Sequence, residues 1–71
     1  MTGYQALANA IILQAAKDYK AALKKHRDNP SENESKDAIL LIEEFFHSPL
    51  YDILTGLNPD YLIKRIRREV A

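Results

Sequence analysis

The sequence predicts an all-α fold, a small helical bundle of three main helices and one short helix, on three observations. The chain has 71 residues, 46% of them hydrophobic, with no cysteine and two glycines. Its apolar residues recur at the three- and four-residue spacing of amphipathic helices, and no strand-like alternation is present. Each of its three prolines follows asparagine or serine, a pair typical of a helix start. A chain this short closes one core, so we expect a single domain over residues 1–71.

The first helix is expected over residues 3–27. A broad apolar half of its helical wheel stands opposite a row of lysines, and that width predicts contacts with more than one neighbouring helix. Asp28, Asn29 and Pro30 end it, because the residue before a proline is pushed out of the helical region. The residues expected to face inward are Tyr4, Leu7, Ala8, Ile11, Ile12, Ala15, Ala16, Tyr19, Ala22, Leu23 and His26.

The second helix is expected over residues 32–47. Its start is open between Asn29 and Asn33, because Ser31 and Glu34 form a capping box that competes with the Asn-Pro start. The acidic residues Asp37, Glu43 and Glu44 are expected to face water. The inward residues are expected to be Ala38, Leu41, Ile42 and Phe45, flanked by Ile39 and Phe46.

A short third helix is expected over residues 49–55 and a fourth over residues 59–70. Gly56 follows the short helix and is expected to take the left-handed conformation that often ends helices. Four aromatic residues in this half of the chain, Phe45, Phe46, Tyr51 and Tyr61, are expected in the core with the tyrosine hydroxyls at its edge. The fourth helix is expected to turn Leu62, Ile63, Ile66 and Val70 inward.

Charge is segregated along the chain although ten basic residues balance ten acidic ones. Residues 1–27 carry five basic and one acidic side chain, and residues 28–60 carry one basic and eight acidic side chains. Residues 61–71 carry four basic side chains and one acidic side chain. The ends of the chain are therefore basic and its middle is acidic.

Two interpretations of this segregation stay open. In one, the basic helices pack beside the acidic helix and their exposed charges pair weakly. In the other, Lys64, Arg65, Arg67 and Arg68 form a binding patch for phosphate or an acidic partner. The last two helices resemble a helix-turn-helix in length, but Asp60 would place a carboxylate where a recognition helix contacts bases.

No residue pattern indicates catalysis. The serines lie near helix starts, where capping explains them, and no glycine-rich phosphate loop is present. Glu44 and His47 have the spacing of carboxylate-bridged metal bundles, but the apolar face of the first helix has no acid to complete a site. His26 and His47 lie near helix C-termini, where we expect structural histidines with satisfied hydrogen bonds. The sequence therefore predicts no enzyme activity, no cofactor, no metal and no small-molecule substrate.

Four leucines are left over from the predicted core. Leu13 and Leu40 fall on the polar faces of their helices, and Leu50 and Leu57 flank the short helix. This apolar surplus predicts a protein partner or self-association.

The apolar runs are too short to cross a membrane, and the mildly apolar residues 6–16 lack the preceding basic stretch of a signal peptide. We therefore expect a cytoplasmic protein.

The second half of the chain contains the run EEFFHSPLYDILTGLNPDYLI, residues 43–63. This run resembles small proteins encoded in bacteriophages, prophages and mobile elements of Gram-positive bacteria. The shared pattern joins an aromatic pair and a serine to a short helix, a turn, and a final helix that ends in basic residues. The family is uncharacterised, so the resemblance implies an architecture and no catalytic or binding residue.

These expectations combine into one functional prediction. The chain is expected to be a non-enzymatic accessory protein of phage or prophage type that acts by protein–protein interaction, a homodimer being one form of it. The alternative is a small DNA-associated regulator that uses the basic C-terminal helix.

Overall fold

The computed structural model describes residues 2–71, which form four helices and no strand. The helices are α1 (Gly3–Asp28), α2 (Asn33–Phe46), α3 (Pro49–Leu54) and α4 (Pro59–Val70). Each boundary lies within one residue of the sequence-based expectation. The predicted small all-α bundle is confirmed.

Side-chain caps begin three of the four helices. Thr2 Oγ1 accepts a hydrogen bond from the backbone of Gln5, whose side chain accepts one from the backbone of Thr2, which is a capping box. Ser48 caps α3 and Asn58 caps α4, each with a proline at the first helical position. The Ser-Pro and Asn-Pro pairs therefore begin these two helices as predicted.

Three predicted terminal signals are wrong. The Asn29-Pro30 pair does not begin α2, because Asn29 is the C-cap of α1. Glu32 is the N-cap of α2 and no side chain caps this helix, because the Ser31 hydroxyl instead donates to Asn29 Oδ1 in the preceding turn at 3.0 Å. Gly56 does not take the left-handed conformation, since no glycine among residues 2–71 has a positive φ. Thr55 ends α3 in an extended conformation, and its hydroxyl accepts a backbone N–H two residues further on.

The core lies where α1 meets the other three helices. Tyr19, Phe46 and Tyr51 are its largest fully buried side chains. Their rings meet edge to face, with centroids 5.6 Å apart for Tyr19 and Phe46 and 5.7 Å apart for Phe46 and Tyr51. Such aromatic pairs stabilise a core by about 0.5–1.5 kcal/mol beyond the area that they bury. The buried residues around these rings are Ile12, Ala22, Leu23, Ile39, Ile66 and Val70.

The buried face of α1 is shorter than the sequence predicts. Tyr4, Leu7 and Ile11 were expected in the core but are exposed. The reason is a mismatch of helix lengths, because 26 residues extend about 39 Å whereas the 14 residues of α2 extend about 21 Å. The N-terminal part of α1 therefore projects beyond the end of α2.

The buried face of α2 is rotated from the predicted one. Leu41 was expected inward but is 65% exposed, whereas Ile39 and Phe46, expected only at the flanks, are buried. Ser35 is buried on the same side, where its hydroxyl donates to a backbone carbonyl one turn earlier. Tyr61 of α4, also expected in the core, is exposed. Each helix has the predicted apolar residues, but the neighbouring helices decide which of them are covered.

The molecule is elongated, with extents of 42 × 20 × 19 Å. Its accessible surface is 5127 Å², against about 4,500 Å² for an average folded chain of this mass. The N-terminal part of α1 contributes to this shape, because Tyr4, Leu7 and Ile11 there are exposed even though Ala8 is buried. The excess surface is therefore partly apolar.

Candidate binding surfaces

An open groove runs between α1 and α2. It has a volume of about 400 Å³ and walls that are mostly aliphatic or aromatic. We call it the α1/α2 groove. Its lining residues are Ile11, Gln14, Ala15 and Asp18 on α1 and Leu41, Ile42 and Phe45 on α2.

The helical spacing of these residues explains the groove. The four α1 residues recur at the i, i+3, i+4 and i+7 positions, so they share one side of that helix. Ile11 is 40% and Leu41 is 65% exposed. Leu7, also exposed, continues the same row one turn toward the N-terminus. Contiguous exposed apolar residues of this kind mark interaction sites on small domains.

The edges of the α1/α2 groove are acidic. Asp18 is the charged residue of its lining, and its carboxylate accepts a hydrogen bond from Gln14 at 2.9 Å. Glu34, Asp37 and Glu44 are exposed on α2 at offsets of seven, four and three residues from Leu41, which places them along the edge of the groove. No lysine or arginine lines it. An apolar floor is thus bordered by negative charge.

The four leucines predicted as apolar contacts are all exposed, but they do not form one surface. Leu13 lies on the side of α1 away from the α1/α2 groove, and Leu40 lies about 100° around α2 from Leu41. Leu50 lies on α3 and Leu57 in the turn after it. Sequence reasoning missed the groove because it assigned Ile11 and Leu41 to the core. The lengths of the first two helices were the signal that could have revealed it.

The predicted basic patch divides into two parts. Lys64, Arg65 and Arg68 are exposed on the outer face of α4. Arg67 instead reaches the acidic helix, where its Nη2 lies 2.6 Å from Glu43 Oε2. One arginine therefore pairs with α2, while three cations face outward and their role as a binding patch stays a prediction.

The Tyr19–Glu43–Arg67 cluster joins α1, α2 and α4. The Tyr19 hydroxyl donates to the same Glu43 oxygen at 2.6 Å, and the Arg67 guanidinium lies 5.9 Å from the centre of the Tyr19 ring. Glu43 was expected to face water. The structure places it half-buried, because its two partners lie on other helices and cover it.

The protonation of this cluster follows from its contacts. Burial, together with the hydrogen bond to Glu43, raises the pKa of Tyr19 to about 12. Burial alone would raise the pKa of Glu43, but the hydrogen bonds from Tyr19 and Arg67 outweigh it and lower that pKa. At neutral pH the cluster therefore contains a neutral phenol, a carboxylate and a guanidinium. This arrangement stabilises the fold and offers no free acid or base.

His47 connects the end of α2 to the start of α4. Its Nδ1 lies 2.9 Å from the backbone oxygen of Glu43, and its Nε2 lies 2.9 Å from Asp60 Oδ1. Both partners are acceptors, so the doubly protonated ring satisfies both contacts. The hydrogen bond to Asp60, followed by the bond to the carbonyl, raises the pKa of His47.

His26 has a different environment, and the prediction that it is hydrogen-bonded is wrong. Its Nδ1 is buried with no partner among residues 2–71. His26 lies in the last turn of α1, one turn beyond Ala22 and Leu23, and is half-buried.

The spacing of Glu44 and His47 does not create a metal centre. His47 bonds Asp60, while Glu44 is exposed. Within residues 2–71 the structure brings no three histidine, aspartate or glutamate side chains close enough to hold an ion. Among the same residues, no helix combines the length and the apolar composition that a membrane span requires.

Comparisons with protein-family models, with curated proteins and with solved structures find no match to this chain. The resemblance of residues 43–63 to small phage and mobile-element proteins therefore stays a prediction. In the structure this run forms the end of α2, the short α3, the turn after it and the start of α4.

Proposed function

We propose that this protein is a non-catalytic binding protein that holds a helix of a partner protein in the α1/α2 groove. The observation that carries the proposal is the exposure of Ile11 and Leu41 on facing walls, with Leu7 extending the row. In helix-in-groove recognition, an amphipathic helix places apolar side chains at i, i+3, i+4 and i+7 into such a groove. The open side between α1 and α2 leaves Ile11 and Leu41 exposed for such a helix.

The charge around the groove selects the kind of helix. Asp18 on one wall, with Asp37 and Glu44 beyond the other, favours lysine or arginine on both flanks of the apolar stripe. Complementary charge at the rim of an interface accelerates association and disfavours like-charged partners. The proposed occupant is therefore a cationic amphipathic helix.

A second copy of this chain is a poorer occupant. Packing two grooves against each other would bring the acidic edges of both copies together. The apolar residues Tyr4, Leu7 and Ile11 continue the groove row toward the N-terminus of α1, and no basic residue precedes Lys17 to flank them as a cationic helix requires. We therefore propose a partner of different sequence, met in the cytoplasm, with the chain acting as an accessory protein of a phage or mobile element.

The first experiment uses a synthetic probe instead of the natural partner. A fluorescent peptide with leucine on one helical face and lysine on both flanks is titrated with the protein and followed by anisotropy. We expect saturable binding, and binding at least about tenfold weaker when glutamate replaces the lysines. Absence of binding to either peptide, or equal affinity for both, would contradict the proposal.

Neighbouring residues of α2 provide a matched pair of variants. Leu41 lines the groove and Leu40 does not, although both are exposed leucines. We expect Leu41→Ser to weaken peptide binding about tenfold or more and Leu40→Ser to change it less than about twofold. A wild-type dimer in light scattering that Leu41→Ser dissociates would show that a second copy occupies the groove, and would overturn the proposed cationic partner.

A further inference from the structure

The outer face of α4 carries one aromatic and three basic side chains in a single row. Tyr61, Lys64, Arg65 and Arg68 recur at the i, i+3, i+4 and i+7 positions, so they share one side of the helix. All four are exposed, Tyr61 to 64%. Ile66, on the opposite side, packs in the core. The row therefore faces directly away from the molecule.

Each of the two acidic residues of α4 contacts a basic side chain. Asp60 bonds His47 at 2.9 Å. Glu69 lies 3.3 Å from the Lys20 ammonium and 3.9 Å from the Arg65 guanidinium. The other two cations of the row form no ion pair within residues 2–71. The row on α4 is thus mainly cationic, and Glu69 borders it and pairs with Arg65 and Lys20.

The exposed side of α1 extends this positive surface. The ion pair between Lys20 and Glu69 places α1 directly beside α4, and Arg27 donates to the Val70 carbonyl at 2.6 Å near the ends of both helices. Two further exposed lysines stand one turn before and one turn after Lys20. We call the whole the basic surface. It comprises Lys17, Lys20, Lys24, Lys64, Arg65 and Arg68, with Tyr61 at one end.

The acidic groove edge lies on the other flank of α1. The groove uses the flank of α1 that carries Ile11, Ala15 and Asp18, whereas α4 packs along the flank that carries Lys20 and Arg27. The zero net charge of the chain therefore conceals a molecule with one positive and one negative side. A local basic surface can attract a polyanion even when the net charge is zero.

We propose that the basic surface binds single-stranded nucleic acid, with phosphates on the lysines and arginines and a base stacked on Tyr61. Electrostatic grooves with an accessible aromatic ring bind single strands in this way, since every base has a face that can stack. This site is separate from the α1/α2 groove and goes beyond the proposed protein partner.

Two features favour a single strand over other polyanions. The aliphatic residues of α4, Leu62, Ile63 and Ile66 among them, are half-buried or buried, so the row has no apolar stripe to insert into a bilayer. A recognition helix contacts duplex bases with its N-terminal residues. In α4 that end is occupied by Pro59 and by Asp60, which bonds His47.

The test is fluorescence anisotropy at low salt with a short labelled DNA strand of mixed sequence, its duplex form, and phosphatidylserine vesicles as competitor. We expect the single strand to bind most tightly, with log affinity falling linearly with log salt by about 0.7 per neutralised phosphate. No binding of the single strand at low salt would overturn the proposal. Tighter binding of the duplex, or full displacement by vesicles, would also overturn it.

Substitutions at three exposed positions separate the contributions of charge and of base stacking to single-strand binding. Arg68→Glu is expected to weaken single-strand binding about tenfold and to reduce the salt slope, whereas Lys36→Glu, the same charge change on α2, alters it less than about twofold. Tyr61→Leu is expected to weaken binding about fivefold or more without changing the slope. Equal losses of affinity for Arg68→Glu and Lys36→Glu would show that binding depends only on net charge, and would contradict binding at the basic surface. Circular dichroism confirms that each variant is folded.

Discussion

The two ends of α1 have the same apolar periodicity and opposite environments. Toward the C-terminus, Tyr19 and Leu23 are buried beneath α2 and α4. Toward the N-terminus, Leu7 is 62% exposed because it lies beyond the end of α2, and Ile11, which borders α2 across the groove, is still 40% exposed. The comparison shows that periodicity identifies the apolar side of a helix, while the lengths of the neighbouring helices decide whether that side is covered.

A second contrast lies within the covered part. Tyr19 and Tyr51 are both fully buried, yet only the Tyr19 hydroxyl has a partner, the carboxylate of Glu43. The Tyr51 hydroxyl is buried with none among residues 2–71. Burial raises the pKa of both phenols. The same side chain therefore links two helices at one position and fills space at the other.

The largest expected difference in stability is between substitutions at a buried residue and at an exposed residue. Phe46→Ala is expected to cost about 3–5 kcal/mol in the free energy of unfolding, because it leaves a cavity among the core rings. Leu41→Ala is expected to change it by less than about 0.5 kcal/mol, since Leu41 is largely exposed. Chemical denaturation measures both, with Phe46→Leu as a milder core variant. Similar losses for Phe46→Ala and Leu41→Ala would mean that the groove is part of the core.

The next effect separates the two tyrosines. Tyr19→Phe is expected to cost about 1–3 kcal/mol, because a half-buried carboxylate loses a hydrogen bond. Tyr51→Phe is expected to be neutral or slightly stabilising, because it removes a buried hydroxyl that has no partner. Thermal or chemical denaturation of both variants gives the comparison. A larger loss for Tyr51→Phe would contradict the hydrogen bonding described here.

The dependence of stability on alkaline pH tests the Tyr19–Glu43–Arg67 cluster. The folded pKa of Tyr19, about 12, exceeds the ordinary value of 10.0, so its contribution to stability is complete below pH 10 and is lost as the pH rises toward 12. Unfolding curves at several pH values should show this loss in the wild type. In Tyr19→Phe the loss should be smaller, and an unchanged alkaline loss would contradict the prediction.

The smallest expected effect concerns His47. The pKa of His47 is raised in the folded state. Its contribution to the free energy of unfolding is therefore complete below the ordinary pKa of 6.5, and it is lost as the pH rises through the pKa of the folded state. The effect on stability is small because the pair with Asp60 is exposed. A two-dimensional NMR titration should show the raised pKa in the wild type and a lower one in Asp60→Asn. The same pKa in both would exclude the contact.

The sequence predicted the parts of the fold that depend on local contacts. Ser48 and Asn58 cap helices through backbone groups two or three residues away, so their neighbours in the sequence were sufficient. The exposed cations of α4 were predicted for the same reason, since helical spacing alone places them on one side. Tyr61 was assigned to the core because an aromatic residue at helical spacing is usually buried.

The contacts that the sequence did not reveal join distant parts of the chain. Glu43 receives hydrogen bonds from Tyr19 and Arg67, each 24 residues away, and nothing local to Glu43 signals either. Whether Ile39 or Leu41 is the buried residue of α2 depends on where α1 and α4 pack. The α1/α2 groove therefore became visible only when the helices were assembled.

Intermolecular nuclear Overhauser effects between a leucine–lysine helical peptide and the methyl groups of the protein would locate the bound helix. If the peptide binds in the α1/α2 groove, its leucines will show contacts to the methyl groups of Ile11, Leu41 and Ile42. Contacts to Leu13 or Leu40 instead, or none at a saturating peptide concentration, would contradict it.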